Sequence, residues 1–319
     1  MVFDKALMFL KKTYAADYLG LIILTVLFIL IQLFVQPFHK LFSLRDLRIS
    51  FPHAEVERVP VRKRVPRSCT GQYHPADTFP AWLFIYAGAV PFGVILAWLV
   101  VIRSDFQKSH ITVLGFFNSL ILTLFVTDVI KNAVGRPRPD LLARCQPAPG
   151  TSGDELVSID VCTETRTHVL QDGWRSFPSG HSSFAFSGLG YLALFLASQT
   201  YVFRPRSDLA RFLLVLAPVL GAALIAISRL EDYRHDVFDV LCGSLLGSAI
   251  AYSTWRRHYP SLSSAACDTP YAALTENNVH KSGFSRLGDE EELVESARQY
   301  EMGNDIDERY PFNVQRSQA

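Results

Sequence analysis

The chain has 319 residues, 49% of them hydrophobic and 12% aromatic, with 19% charged and a formal net charge of +1 at pH 7. That apolar content, with a positive mean hydropathy, exceeds what an ordinary soluble domain carries and points to the bilayer as solvent. The near-zero charge hides an asymmetry: residues 259–319 hold eleven acidic against five basic side chains, leaving 26 basic and 19 acidic in the rest. No basic stripe with interleaved aromatics occurs in either part, which excludes a nucleic-acid-binding role.

A bilayer core needs about 20 apolar residues per helix, and six uncharged runs of that order follow one another: Tyr18–Phe38, Phe79–Ile102, Ile111–Thr127, Ser182–Phe203, Phe212–Ser228 and Val240–Trp255. The last two are short and extend by a turn into the polar residues beside them; Pro91 and Pro218 are expected to kink their helices. The first run follows Lys11-Lys12 as a signal peptide would, but it is longer than an h-region and lacks a small-x-small cleavage site, so it reads as a retained anchor. The expected architecture is all-α: a polytopic six-transmembrane-helix bundle over residues 1–258, with an acidic, disordered tail over 259–319.

Two consecutive crossings return a chain to the side it left. The segment after the third span, the one before the fourth and the one joining the fifth to the sixth therefore share a membrane face, and both termini lie on the other. Lys and Arg are more numerous on the motif side, sixteen against ten, although eight of the sixteen lie in the 37–78 loop beside four acids. Lys11-Lys12 abutting the first span and the untranslocated acidic tail favour cytoplasmic termini and a lumenal motif face. Cys145 and Cys162 share one motif-side loop, either as free thiols or as a bridge stabilising it by about 3 kcal/mol in an oxidising compartment.

The motif-side segments carry Lys131 and Arg138, then Pro178-Ser179-Gly180-His181, then Arg229, His235 and Asp239. A phosphoryl group in transfer spreads negative charge over three oxygens, which fixed cations and backbone N–H groups stabilise. Arg138 and Arg229 offer planar forks and Lys131 a point charge; each alone could equally anchor to lipid headgroups. Ser179 and Gly180 stand where a helix begins and its N–H groups favour an anion, or act only as N-cap and turn. His235 and Asp239, four apart, would share one face of a helix, with Asp239 orienting an imidazole nucleophile and His181 acting as general acid. These three could instead ligate a metal, which the flanking cations oppose.

In these residues the chain resembles the phosphatidic acid phosphatase type 2 superfamily of lipid phosphate phosphatases, whose signature is K-x6-R-P, P-S-G-H and S-R-x5-H-x3-D. Lys131-x6-Arg138-Pro139, Pro178-Ser179-Gly180-His181 and Ser228-Arg229-x5-His235-x3-Asp239 match every fixed position. Further stretches, including Arg144-Cys-Gln-Pro147 and Gly173-Trp-Arg-Ser-Phe-Pro178, are most similar to fungal diacylglycerol pyrophosphate phosphatases. The resemblance implies His235 as nucleophile, Asp239 as its orienting carboxylate and His181 as acid. It assigns Lys131, Arg138, Ser179, Gly180 and Arg229 to phosphate binding, with no metal or other cofactor. It further implies a phospholipid phosphate substrate at the bilayer and a site facing the lumen of a vacuole or other endomembrane. Isoprenoid or sphingoid phosphates fit the same residues. A non-catalytic lipid-phosphate scaffold and a vanadate haloperoxidase are the readings from other classes; the intact histidines oppose the first and the spans the second.

Overall fold

The computed structural model describes residues 14–51, 81–204 and 207–274. Among them the chain is all-helical apart from two isolated β-bridges. Helix α1 is Ala15–Phe34. Helix α2 comprises Ala81–Phe84, a π-helical stretch Ile85–Ala89 and Val90–Val101, and α3 is Phe106–Val134. Two short helices, α4 (Leu141–Cys145) and α5 (Thr167–Asp172), lie in the loop before α6 (Gly180–Thr200), α7 (Leu209–Glu231) and α8 (Val237–Arg256).

Among the described residues five helices are long and apolar enough to cross a membrane: α1, α2 over Trp82–Val101, α3, α7 and α8. Helix α6 is 21 residues long and uncharged, but its serines and glycines lower its hydropathy. The reason is its position: it is the central post, packed against α2, α3, α7 and α8, and most of its side chains are buried in protein rather than turned to lipid. The outer helices show the converse, with Ile22, Leu33, Leu224 and Leu245 exposed as a lipid-facing surface requires.

Small and hydroxylated residues let the helices approach closely, as membrane interfaces favour. Thr127 bonds Ser183 at 2.9 Å, Thr123 bonds Ser187 at 3.0 Å and Ser119 bonds Ser187 at 2.7 Å, a ladder joining α3 to α6. A Cβ at Gly243 or Gly247 of α8 would collide with the carbonyl oxygens of Ser179 or Ser183 on α6. Phe116, Phe184, Tyr191, Phe195 and Trp255 form the core among these helices.

Each expected run lies within or beside an observed helix, but the ends differ. Helix α3 continues past Thr127 to Val134, carrying the buried Asp128, Lys131 and Asn132, because internal partners replace apolar character there. Pro91 follows the π-helical stretch, where its missing N–H removes the α-helical bond to the Ala87 carbonyl. Pro218 stands inside α7.

Described structure continues past the expected boundary at 258/259. The chain after α8 folds back on the bundle: Tyr259 is buried, stacked on Trp255 and hydrogen-bonded to Thr112 at 2.6 Å. Cys267 is buried with its thiol on the Ser198 carbonyl, and the main-chain N–H of Tyr271 donates to His258. This docked segment reaches Leu274; the remainder of the expected tail, residues 275–319, lies outside the described residues.

Candidate active site

The site is assembled where four long helices end or begin on one side of the bundle. Lys131 lies in the last turn of α3, which Gly135 closes in the left-handed conformation at φ 57°, its N–H donating to the Lys131 carbonyl at 3.1 Å. Only glycine suits this turn, since a Cβ would also run into the Phe38 carbonyl. The chain then runs through Arg136-Pro-Arg138. The Arg138 N–H donates to Gly173 at 2.8 Å, pinning this loop to the segment before α6.

A small satellite core of Phe42, Ile49, Leu141, Cys145, Leu170 and Trp174 supports both loops, and a Cys145–Cys162 disulfide joins the end of α4 to the segment before α5. Arg138 donates to Asp172 at 2.8 Å, while Arg144 donates to Asp172 at 3.1 Å and Asp140 at 3.0 Å. Burial pulls Asp172 upward, but Arg138, Arg144 and Lys131 outweigh it and hold the carboxyl below its usual range.

Ser179 is the N-cap of α6: its Oγ accepts from the Ser182 N–H at 3.4 Å, and its own N–H donates to the Asp239 carbonyl at 2.9 Å. Gly180 opens the helix and His181 follows, its ring 6.0 Å from Trp82. Arg229 in the last turn of α7 stacks over the same Trp82 at 5.4 Å and pairs with Asp232 at 2.8 Å. Trp82 thus stands beside both the cation of one motif and the imidazole of another. His181 lies within electrostatic reach of Arg229, His235, Lys131 and Arg138.

His235 and Asp239 are not on one helix, as the four-residue spacing suggested. Helix α8 begins at Val237 with Asp236 as N-cap, so His235 precedes the helix and Asp239 occupies its third position. Asp236 and Asp239 form a capping box, Asp239 Oδ2 accepting from the Asp236 N–H at 3.1 Å. His235 Nδ1 stands 3.8 Å from that oxygen, beyond hydrogen-bond range. Burial and the charges of Arg138 and Lys131 outweigh the pull of Asp239 and push His235 down to about 4.

The structure therefore gathers Lys131, Arg138, Ser179, Gly180, His181, Arg229, His235 and Asp239 at one end of the bundle. Such an arrangement of three cations, a helix N-terminus and two imidazoles can receive an anion and present it to a neutral ring nitrogen. Sequence reading missed Arg136, Ser176, Asp172 and Trp82. Arg136 sits inside the Lys131–Arg138 stretch and Ser176 just before Pro178, so adjacency was their one available signal.

Comparison with known proteins gives a consistent result. Residues 112–262, which contain all eight site residues, match the PAP2 superfamily. The chain is similar to the probable diacylglycerol pyrophosphate phosphatase 1 of Schizosaccharomyces pombe, at 38% identity over 88% of this chain and 95% of that protein. It is 39% identical to diacylglycerol pyrophosphate phosphatase 1 of Saccharomyces cerevisiae over 71% of this chain and 73% of that one. Lipid phosphate phosphatase 2 of Arabidopsis thaliana is 32% identical over 88% and 92% of the two chains.

Proposed function

Since the chain belongs to the PAP2 superfamily, we propose that it is an integral membrane lipid phosphatase hydrolysing diacylglycerol pyrophosphate, phosphatidate and lysophosphatidate through a phosphohistidine. The observation that carries this reading is the convergence of Lys131 and Arg138 on a buried His235 beside Asp239, with Arg229 and the same two cations acting on His181. His235 Nδ1 faces the carboxylate, which leaves Nε2 for phosphorus. In the first step an Nε2–P bond forms, the bond from phosphorus to the leaving oxygen breaks, and His181 gives that oxygen its proton. In the second, His181 takes a proton from water, the water oxygen bonds to phosphorus, and the N–P bond breaks to release inorganic phosphate. Lys131, Arg138, Arg229 and the N-terminal turn of α6 at Ser179-Gly180 hold the equatorial oxygens.

Three fixed cations favour a phosphate and oppose a divalent ion, so the reaction is read as metal-independent and cofactor-free. A site at the end of apolar helices suits a headgroup whose acyl chains stay in lipid, and the relatives' names point to diacylglycerol pyrophosphate. With α6 counted as the sixth span both termini share one face, which Lys11-Lys12 beside the first span and the acidic tail assign to the cytoplasm. The Cys145–Cys162 bridge favours a lumenal site in a vacuolar or other endomembrane.

The test is phosphate release by purified protein in detergent micelles with excess chelator. Diacylglycerol pyrophosphate, phosphatidate, lysophosphatidate, an isoprenoid pyrophosphate and a sphingoid phosphate are compared. Release from the glycerolipids in chelator supports the proposal, preference for an isoprenoid or sphingoid substrate reassigns it, and no release from any leaves a lipid-phosphate-binding scaffold.

A further inference from the structure

We infer that Arg136 and Ser176 are positioning residues for the nucleophile, holding the Asp239 carboxylate so that one oxygen faces Nδ1 of His235. The inference rests on the phosphohistidine reading. A carboxylate turns easily about its last torsion, so an Asp that must steer an imidazole needs donors on both oxygens. Asp239 has them. Its Oδ1 accepts from Arg136 Nη1 at 2.7 Å, and its Oδ2 accepts from Ser176 Oγ at 2.5 Å and from the Asp236 N–H at 3.1 Å. Asp239 and Ser176 are buried, so water does not supply these bonds.

The other terminal nitrogen of Arg136 donates to Asp236 Oδ2 at 2.7 Å. One guanidinium fork thus spans the N-cap and third residue of α8, a geometry a lysine reproduces only in part. Arg136 binds the oxygen turned away from His235, whereas Ser176 binds the one turned toward it. The two are also braced on each other, the Ser176 N–H donating to the Arg136 carbonyl at 3.1 Å. Arg136 lies two residues before Arg138, so the loop that brings a phosphate-binding fork to the site also fixes the nucleophile's support.

The experiment measures kcat and KM for phosphatidate with purified Arg136→Gln, Arg136→Lys and Ser176→Ala proteins, alone and in an Asp239→Asn background. His235→Ala is run alongside. The expected result is a kcat lowered about 10- to 100-fold in Arg136→Gln and about 10-fold in Ser176→Ala. KM should stay within about threefold, and Arg136→Lys should recover part of the loss. In the Asp239→Asn background neither change should add more than about twofold, because residues acting through one carboxylate are not additive. Ser176→Ala removes one oxygen and keeps the test open should Arg136→Gln fail to fold. A kcat retained within twofold in Ser176→Ala and any folded Arg136 variant, a rise confined to KM, or full additivity on Asp239→Asn would overturn the inference. Turnover by His235→Ala would instead sink the nucleophile reading beneath it.

Discussion

Arg138 donates to Asp172 at 2.8 Å, so the guanidinium proposed to bind phosphate already faces a carboxylate of its own protein. The same carboxylate serves Arg144, whose side chain is 0% exposed. Asp172 therefore has two roles that pull apart: it holds a buried arginine in place, and it competes with any anion for Arg138.

Asp172→Asn should separate them. Removing one partner of a buried ion pair costs about 3 kcal/mol, so the thermal midpoint in detergent should fall. Inhibition by inorganic phosphate should strengthen, because Arg138 loses its internal competitor. A variant that is destabilised with unchanged phosphate inhibition would separate Asp172 from the binding site.

His235→Ala and His181→Ala should each abolish phosphate release, since no other imidazole takes either role in the proposed reaction. Lys131→Ala and Arg229→Ala should lower the rate by about 10²–10³, the scale for losing one donor to a developing charge. Intact folding of each variant is checked by its elution and thermal transition.

Acid should spare catalysis more than an ordinary histidine would allow. His235 is held down to about 4 from 6.5 by burial and by Arg138 and Lys131, so its ring stays neutral well below pH 6. The acidic limb of kcat/KM, corrected for ionisation of the substrate phosphate, should lie near pH 4 rather than near 6.5. Stability follows the same proton: between these values the unfolded chain binds it and the folded chain does not. The contribution of His235 is therefore complete above pH 6.5 and lost as pH falls toward 4, which thermal midpoints of wild type and His235→Gln would reveal.

Truncation after Arg257 should lower the thermal midpoint, although no site residue lies beyond that point. It removes Tyr259 with its Thr112 bond and Trp255 stack, and Cys267 against Ser198. Losing a buried aromatic side chain costs about 3–5 kcal/mol. Phosphate release measured below the new midpoint should be retained.

What could be read without coordinates followed from local pattern. The apolar runs located the long helices, and fixed spacings picked out residues as far apart as Lys131 and Asp239, which the structure gathers at one end of the bundle. The helix ends were set too short at α3 because Asp128 and Lys131 break the apolar run while the backbone continues, their charges facing each other and Arg175 rather than lipid. Helices α4 and α5 are too short for periodicity to show them. Arg136, Ser176 and Asp172 act through partners distant in sequence, Arg136 and Asp239 being 103 positions apart, and such pairings leave no periodic mark. The docked segment after α8 was hidden because single anchors, Tyr259 and Cys267, hold a stretch without an apolar run.

Gly243 and Gly247 let the backbone of α8 rest against the carbonyls of Ser179 and Ser183. His181 heads one of these helices and His235 immediately precedes the other, so the gap between the two imidazoles is gauged by main chain touching main chain. Substitutions along the outer, apolar sides of the bundle can then change the surface turned to hydrocarbon while the proposed nucleophile and acid keep their spacing. On the proposed reading, reactivity and tail preference belong to separate surfaces.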